Sequence, residues 1–167
     1  PIYLANTVQL MVLVAALSTV IGVLTAWLTV HYDFPLRQML VPALALPLAA
    51  PAYVIGYVYA DLLEFSGPVQ IALRDWLQLS PQAVVLPNIR SLPGAGLVIS
   101  LVLYPYVYLL ARGSFAQQSS TLYEAARALG ASRLRVFWRV ALPVAWPAVV
   151  GGLALVLMET VADYGVV

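Results

Sequence analysis

The feature that most constrains this chain is a run of apolar residues from Leu4 to Val30 that contains no charged residue. About 20 such residues in a helix cross the roughly 30 Å hydrocarbon core of a bilayer. The rest of the sequence has the same character, since 63% of its 167 residues are hydrophobic and 9% are charged, with a mean hydropathy of +0.93. Soluble domains carry roughly a quarter charged residues. The sequence therefore predicts an integral membrane protein.

Four apolar runs are long enough, or nearly so, to form membrane-spanning helices. They extend from Leu4 to Val30, from about Met39 to Ala60, from about Ala95 to Ala111 and from about Val144 to Val166. Prolines lie inside the last three runs, and a proline removes a backbone donor and kinks a helix. The predicted fold is therefore all-α, with about four kinked transmembrane helices. Because the chain begins at Pro1 and ends within an apolar run, we expect it to be a fragment of a longer protein.

The arginines predict how these spans are oriented. There are eight arginines and no lysine, and five of the arginines lie between Arg112 and Arg139. Basic residues are enriched in cytoplasmic loops, so the connection between the third and fourth spans is expected in the cytoplasm. The N-terminus and the loop from Asp61 to Pro93 are then external. The turn from His31 to Arg37 is cytoplasmic, and His31 is expected to be a solvated polar residue.

The external loop contains a short amphipathic pattern over residues 68–79. Its apolar positions are Val69, Leu73, Trp76 and Leu77, which recur at helical spacings. The pattern predicts a short loop helix, with an interfacial or re-entrant helix as the alternative.

Composition and motif content exclude several classes of function. The chain has no cysteine, which excludes disulfides and thiolate metal sites. A net charge of +1 gives no basic excess of the kind that binds nucleic acid. No phosphate-binding glycine loop, His-Glu metal pair or nucleophile elbow is present in the sequence. The chain is therefore not expected to be an enzyme, nor to bind a metal or cofactor itself.

A polar segment from Thr121 to Pro143 separates the last two apolar runs. Thr121 followed by Glu124 forms a capping-box pattern that predicts a helix start. Apolar residues then recur at i, i+3, i+4 and i+7, which predicts one apolar stripe on a short helix. Gly130 is expected to end this helix in the left-handed conformation. The stripe consists of Leu122, Ala125, Ala126 and Leu129.

A second short helix is predicted after Gly130. Ser132 is placed to cap it, and Val136, Phe137 and Val140 form its apolar side. Pro143 suits the first turn of the transmembrane helix that follows. An ordinary amphipathic hairpin at the membrane surface is the alternative interpretation of this segment.

The residues of this segment resemble a known signature. Glu124-Ala125-Ala126, three residues, Gly130, nine residues and then Val140-Ala141-Leu142-Pro143 are similar to the EAA motif of binding-protein-dependent ABC importer permeases. The one departure is Val140, where isoleucine is commonest. The resemblance implies the type I permease fold, here incomplete, with residues 1–167 forming part of the transmembrane domain and residues 112–143 forming the cytoplasmic coupling loop.

The same resemblance implies partners and a working mode. In this family the EAA loop docks on a cytoplasmic ATPase dimer, which binds the ATP and magnesium, so the permease itself has no enzymatic activity. Coupling residues carried over to this chain are Glu124, Ala125, Ala126, Gly130, Leu142 and Pro143. A second permease half, fused or separate, and an external substrate-binding protein complete such a transporter in the bacterial inner membrane.

Two further segments resemble the ferric-iron branch of the family. They are L-Y-P-Y-V-Y-L-L-A-R at residues 103–112 and M-E-T-V-A-D-Y-G at residues 158–165. In that branch two halves are fused in one polypeptide, and this chain resembles the first half. The implied cargo is ferric iron, with thiamine, phosphonate, a polyamine or an oxyanion as alternatives.

Four side chains are candidates for the translocation path. Glu159 and Asp163 lie four residues apart near the external end of the fourth span, and acids at membrane depth often line a cavity or pair with a cation. The alternative for both acids is hydration near the external end, or contact with the binding protein or another helix. Tyr57 and Tyr106 could line a pore, although interfacial belts explain most such tyrosines. The alternative from another class is an ion-coupled secondary transporter or channel that uses Glu159 and Asp163.

Overall fold

The computed structural model describes residues 2–80, 82, 88 and 91–164, except for the side chains of residues 2, 3, 163 and 164. All regular elements in these residues are helical, which confirms the all-α prediction. The helices are α1 (Ile2–His31), α2 (Arg37–Ala43), a 3₁₀ turn (Leu46–Ala49), α3 (Ala52–Leu63), α4 (Pro68–Trp76), α5 (Leu92–Gln117), α6 (Ser120–Ala128), α7 (Arg133–Val136), a π-helical turn (Phe137–Ala141) and α8 (Leu142–Tyr164).

Three helices in the described part of the chain are long and apolar enough to cross a membrane. They cover Leu4–His31, Leu92–Gln117 and Arg133–Ala162. The first, third and fourth predicted spans are thus confirmed as helices. The predicted continuous second span is wrong, because the segment that holds it is divided into α2, the 3₁₀ turn and α3.

The prolines explain why the second segment is broken rather than kinked. Pro42 lies inside α2, Pro47 is the second residue of the 3₁₀ turn and Pro51 precedes the first residue of α3. Ala50, just before Pro51, is extended with φ −129° and ψ 161°, as expected for a residue whose α conformation clashes with a following proline ring. Three missing backbone donors within ten residues leave too few hydrogen bonds for one helix.

Helix α5 lies at the centre, and both α1 and α8 approach its backbone at Val107. A Cβ built on Gly22 of α1 would lie 2.9 Å from the Tyr108 nitrogen, and one built on Gly152 of α8 would lie 2.7 Å from the Val107 Cα. Only glycine leaves room for these approaches. Small residues of this kind allow membrane helices to pack backbone against backbone. Helices α1 and α8 therefore pack against α5 at the same height along its axis, the height of Val107.

The ends of the later helices also differ from the prediction. Helix α5 extends beyond Ala111 to Gln117, so Arg112 lies inside it rather than in the loop. Its N-terminus is capped by Ser91, whose Oγ accepts from the Gly94 nitrogen at 3.3 Å. Residues 133–162 are continuous helix, so the second short helix is not separate from the last span. The part of the segment outside long helices is reduced to residues 118–132.

Helix α4 confirms the short loop helix, but its inward face is polar. Gln70 and Arg74 are buried, and the Arg74 guanidinium lies over the Phe65 ring, 4.5 Å from its centroid. Trp76 and Leu77 are exposed. The apolar pattern thus predicted the helix correctly, but not which of its faces is buried. The polar face is buried because Arg74 packs against Phe65.

Replacement of Gly152 by alanine should destabilise the protein more than the same change at Gly151. Both positions lie in α8 and gain the same helix propensity, but a Cβ at Gly151 meets only the Leu110 Cδ1 at 3.7 Å, an ordinary contact. We expect Gly152→Ala to lose about 1–3 kcal/mol relative to Gly151→Ala through overpacking. Thermal unfolding of the two variants of the full-length protein in detergent measures the difference, and equal stability would contradict the packing shown at Val107.

Candidate coupling surface and translocation residues

The first helix of the polar segment begins two residues earlier than the capping box predicts. Ser119 is the residue before the helix and has φ −65° and ψ 132°, and its side chain makes no capping hydrogen bond. Its Oγ instead lies 2.5 Å from the Thr121 Oγ1. The predicted capping box between Thr121 and Glu124 is therefore wrong. Glu124 is exposed, which leaves its carboxylate open to another molecule.

Gly130 ends α6 in the conformation that the sequence predicts. Its φ is +81°, its nitrogen donates to the Arg127 oxygen at 2.9 Å, and the Ala131 nitrogen donates to the Ala126 oxygen at 3.1 Å. This pair of bonds is the Schellman motif, which satisfies the last carbonyls of a helix. A side chain at position 130 would meet no neighbour within 4 Å. Backbone conformation, not space, therefore requires glycine here.

The second helix begins as predicted and then merges with the last span. Ser132 Oγ accepts from the Arg135 nitrogen at 3.4 Å, and Val136 and Phe137 are buried. The Leu142 nitrogen then bonds to the Phe137 oxygen, five residues back. Pro143 cannot donate to the carbonyl four residues before it, and the π turn accommodates that loss within a continuous helix. Pro143 is thus near the start of α8 but does not begin a new helix.

The segment presents exposed apolar side chains. Leu129 is 89% exposed and Leu134 is 68% exposed, and Leu122 is also exposed. Among the motif residues, Glu124, Ala125, Gly130 and Pro143 are exposed, whereas Ala126 and Leu142 are half-buried. Single exposed leucines are ordinary, but a group of them on one short hairpin marks a surface for another protein. We call residues 120–135 the coupling surface.

Hydrogen bonds fasten the coupling surface to the last span. Gln118 Nε2 donates to the Ala141 oxygen at 3.0 Å, and the Tyr123 hydroxyl donates to Gln118 Oε1. Burial raises the pKa of the Tyr123 phenol above its usual value, so this hydroxyl stays protonated and remains a donor at neutral pH. The bonds hold the start of α6 beside Ala141 and therefore beside Leu142.

An aromatic cluster joins the coupling surface to the other long helices. Trp27 and His31 of α1 are stacked with ring centroids 3.6 Å apart, and Tyr123 of α6 lies edge-on to His31 at 4.9 Å. Phe137 of the π turn and Phe115 of α5 lie 5.1 and 5.4 Å from Trp27. The expectation that His31 is a solvated residue is therefore wrong. The spacing of Trp27 and His31, four residues apart on α1, is a signal for their stacking, but the other members come from three further elements and sequence spacing gives no signal for them.

The candidate path residues are not gathered into one site. Tyr57 on α3 is 77% exposed, and Tyr106 on α5 packs in part against the core. Glu159 is half-buried on α8. The side chain of Asp163 lies outside the described residues, so its predicted place beside Glu159 in the translocation path stays a prediction. No hydrogen bond or ring contact joins Tyr57, Tyr106 and Glu159 among the described residues, and no cluster of metal-ligating side chains was found there.

Two other tyrosines donate hydrogen bonds to backbone carbonyls of the proline-rich segment, a role that the sequence pattern did not predict. The Tyr104 hydroxyl donates to the Leu44 oxygen at 2.9 Å and the Tyr108 hydroxyl donates to the Val41 oxygen at 3.1 Å. Both carbonyls lost their helical partners, because the nitrogens of Ala45 and Leu48 bond three residues back instead of four. Tyr104 and Tyr108 lie one turn apart on α5 and so meet both carbonyls. The proline-broken segment is thus anchored to the central helix.

Replacement of Tyr104 or Tyr108 by phenylalanine should destabilise the protein by about 1–2 kcal/mol for each site, since a half-buried carbonyl loses its donor while packing is retained. Tyr106→Phe is the matched control on the same helix. Chemical unfolding of the full-length protein in detergent measures these changes. An equal loss in Tyr106→Phe would show that the two hydrogen bonds contribute nothing specific.

Three helices that are long and apolar enough to cross a membrane, with an exposed helical loop anchored to their ends, indicate a membrane protein. Comparison with known proteins agrees with this class. Residues 18–167 match the family described as the binding-protein-dependent transport system inner membrane component. The chain belongs to this family.

Individual relatives are identical to the chain at about a third of the aligned positions. It is 33% identical over 162 residues to the sulfate transport system permease protein CysW of Escherichia coli K12, covering 96% of this chain and 53% of that protein. It is 31% identical over 144 residues to a probable sulfate transport system permease protein cysT of Chlorokybus atmophyticus, covering 86% and 48%. Identity to the molybdenum transport system permease protein ModB of Escherichia coli K12 is 30% over 144 residues, covering 86% and 60%. The chain thus spans about half the length of these relatives.

Proposed function

We propose that this chain forms part of the membrane permease of an ATP-driven importer of the bacterial inner membrane, with residues 120–135 docking on a cytoplasmic ATPase dimer. The observation that carries the proposal is the exposed hairpin that bears Glu124, Ala125, Ala126 and Gly130. An external binding protein delivers the substrate, and a second permease half completes the path. The ATPase partner, not this chain, binds ATP and magnesium.

Exposure and attachment of the coupling surface both support this function. Leu122, Leu129 and Leu134 offer apolar area to a partner, while Arg127, Arg133 and the other exposed arginines of the segment offer charge to its rim. The aromatic cluster and the bond from Gln118 to Ala141 connect the same surface to α1, α5 and α8. A partner that moves this hairpin therefore moves all three long helices. The arginines also favour a cytoplasmic location for it.

Replacement of Gly130 by valine should abolish coupling without loss of membrane insertion. A β-branched residue at φ +81° is strained by at least about 1–2 kcal/mol, so the Schellman turn opens and the relative position of α6 and α7 changes. Measurements are the ATPase activity stimulated by loaded binding protein and the co-purification of the ATPase with the full-length permease. We expect at least about a tenfold loss of stimulation.

Gly113→Val is the control for this variant. Gly113 lies inside α5, and a Cβ there also meets nothing within 4 Å, but its backbone is helical. The control should keep most of its coupling. Normal stimulation and normal ATPase association in Gly130→Val would overturn the assignment of the coupling surface.

For the cargo we propose an oxyanion rather than ferric iron. The relatives named above are sulfate and molybdenum permeases, and sulfate is a tetrahedral oxyanion. Support for iron came from the resemblance of residues 103–112 and 158–165, which these relatives do not strengthen. The described residues also hold no group of three acidic, histidine or cysteine side chains of the kind that binds a metal ion.

Uptake of labelled cargo by cells that express the complete transporter tests both the cargo and the energy source. We expect uptake of sulfate or molybdate that requires the ATPase and the binding protein. Uptake of ferric iron without either oxyanion would overturn the cargo proposal alone. Uptake that persists without the ATPase and follows the proton gradient would instead support an ion-coupled transporter that uses Glu159 and Asp163.

A further inference from the structure

An open cavity of about 710 Å³ lies where α1 ends, between α2 and the second half of α5. Sites for small molecules commonly have volumes of roughly 300–1,000 Å³. Arg37 and Arg112 both line this cavity, and Asp33 is the one acidic residue among its lining residues. Its remaining lining residues are Phe34, Leu36, Gln38, Met39 and Val41. The cavity thus carries an excess of positive charge beside apolar side chains.

The two arginines of the cavity differ in their partners. The Arg37 guanidinium is paired with Asp33, and its Nε donates to the Thr29 oxygen at 2.7 Å. Arg37 therefore supplies a hydrogen-bond donor to a carbonyl at the C-terminal end of α1. Arg112 has no hydrogen bond or ion pair with any described residue, although its Nε is buried. A ligand in the open cavity does not reach that buried Nε, but Arg112 is half-buried and lines the cavity, so its Nη nitrogens can donate to an anionic group there.

The apolar side chains of the cavity favour one kind of partner. Leu36 and Met39 are 73% and 72% exposed, so a ligand that only filled the charged part would leave them in water. A phospholipid matches both parts, since its phosphate accepts hydrogen bonds from a guanidinium and its acyl chains cover apolar side chains. Basic pockets between helices near a membrane surface bind anionic headgroups in this manner.

We propose that this cavity binds an anionic phospholipid, whose phosphate group accepts hydrogen bonds from Arg112 while its acyl chain lies against Leu36 and Met39. Arg37 and Asp33 form the fixed wall of the site and keep α2 beside the end of α1. None of the residues that line the site belongs to the coupling surface.

The test uses the full-length permease complex in phosphatidylcholine nanodiscs that contain a minor fraction of phosphatidylglycerol. Native mass spectrometry after delipidation counts the phosphatidylglycerol molecules that stay bound. We expect Arg112→Gln to weaken retention about tenfold, the effect of losing a charge-assisted pair. Arg139→Gln removes the same charge from an exposed position outside the cavity and should retain phosphatidylglycerol like the unmodified protein.

A second variant keeps the test informative if Arg112→Gln does not fold. Leu36 has φ 68°, a value that aspartate tolerates better than leucine does, so Leu36→Asp should fold while its carboxylate repels the phosphate. Equal retention in Arg112→Gln, Leu36→Asp and Arg139→Gln would overturn the site. Displacement of bound phosphatidylglycerol by phosphatidylcholine at equal concentration, or binding of inorganic sulfate at the cavity without lipid, would overturn the lipid assignment.

Discussion

The close approach of two helices to the backbone of α5 at Val107 governs the arrangement of the whole chain. In a membrane, apolar side chains gain little from contact with one another over contact with lipid, so association depends on close packing and hydrogen bonds. Gly22 and Gly152 provide the close packing, and they do so at the same level of the central helix. The positions of α1 and α8, and of every loop attached to them, follow from this one level.

Hydrogen bonds to free carbonyls provide the second means of assembly. Prolines break the segment from Arg37 to Leu63 and would leave carbonyl groups without donors, which is costly where water is scarce. Tyr104 and Tyr108 supply the donors from α5. The same central helix that receives the glycines therefore also holds the one segment that could not form a helix across the membrane. The hydroxyls of Tyr104 and Tyr108 bind the broken segment, and the α5 backbone at Val107 and Tyr108 is contacted by α1 and α8.

The sequence predicted correctly those helices and helix ends that depend on residues close together along the chain. The apolar runs predicted α1, α5 and α8, Gly130 predicted the end of α6, and Ser132 predicted the start of α7. The predictions were wrong where the local structure depends on contacts between residues that are distant in sequence. The partners Tyr104 and Leu44 are 60 residues apart, so proline-rich residues 39–60 were taken for one kinked span. The run Ser119-Ser120-Thr121 offers three helix starts with similar propensity. Trp27 stacks on His31 from the same helix, but the two rings that complete its enclosure come from α5 and α6, which are distant in sequence. The residues of the coupling surface were found by motif, whereas Arg112 became conspicuous only once the structure showed its missing acceptor.

The unbroken helix from Arg133 to Ala162 makes α8 a lever. Its 30 residues span about 45 Å at about 1.5 Å per residue, and the contact of Gly152 with α5 lies nearer to the far end than to the loop. That contact serves as a fulcrum. A sideways displacement of the loop end is therefore reversed in direction beyond Gly152 and reduced to about half its size there. The half-buried Glu159 lies on this short arm, whereas Pro147 and the π turn lie on the long arm, so a movement of the loop reaches Glu159 only as far as these two places do not bend.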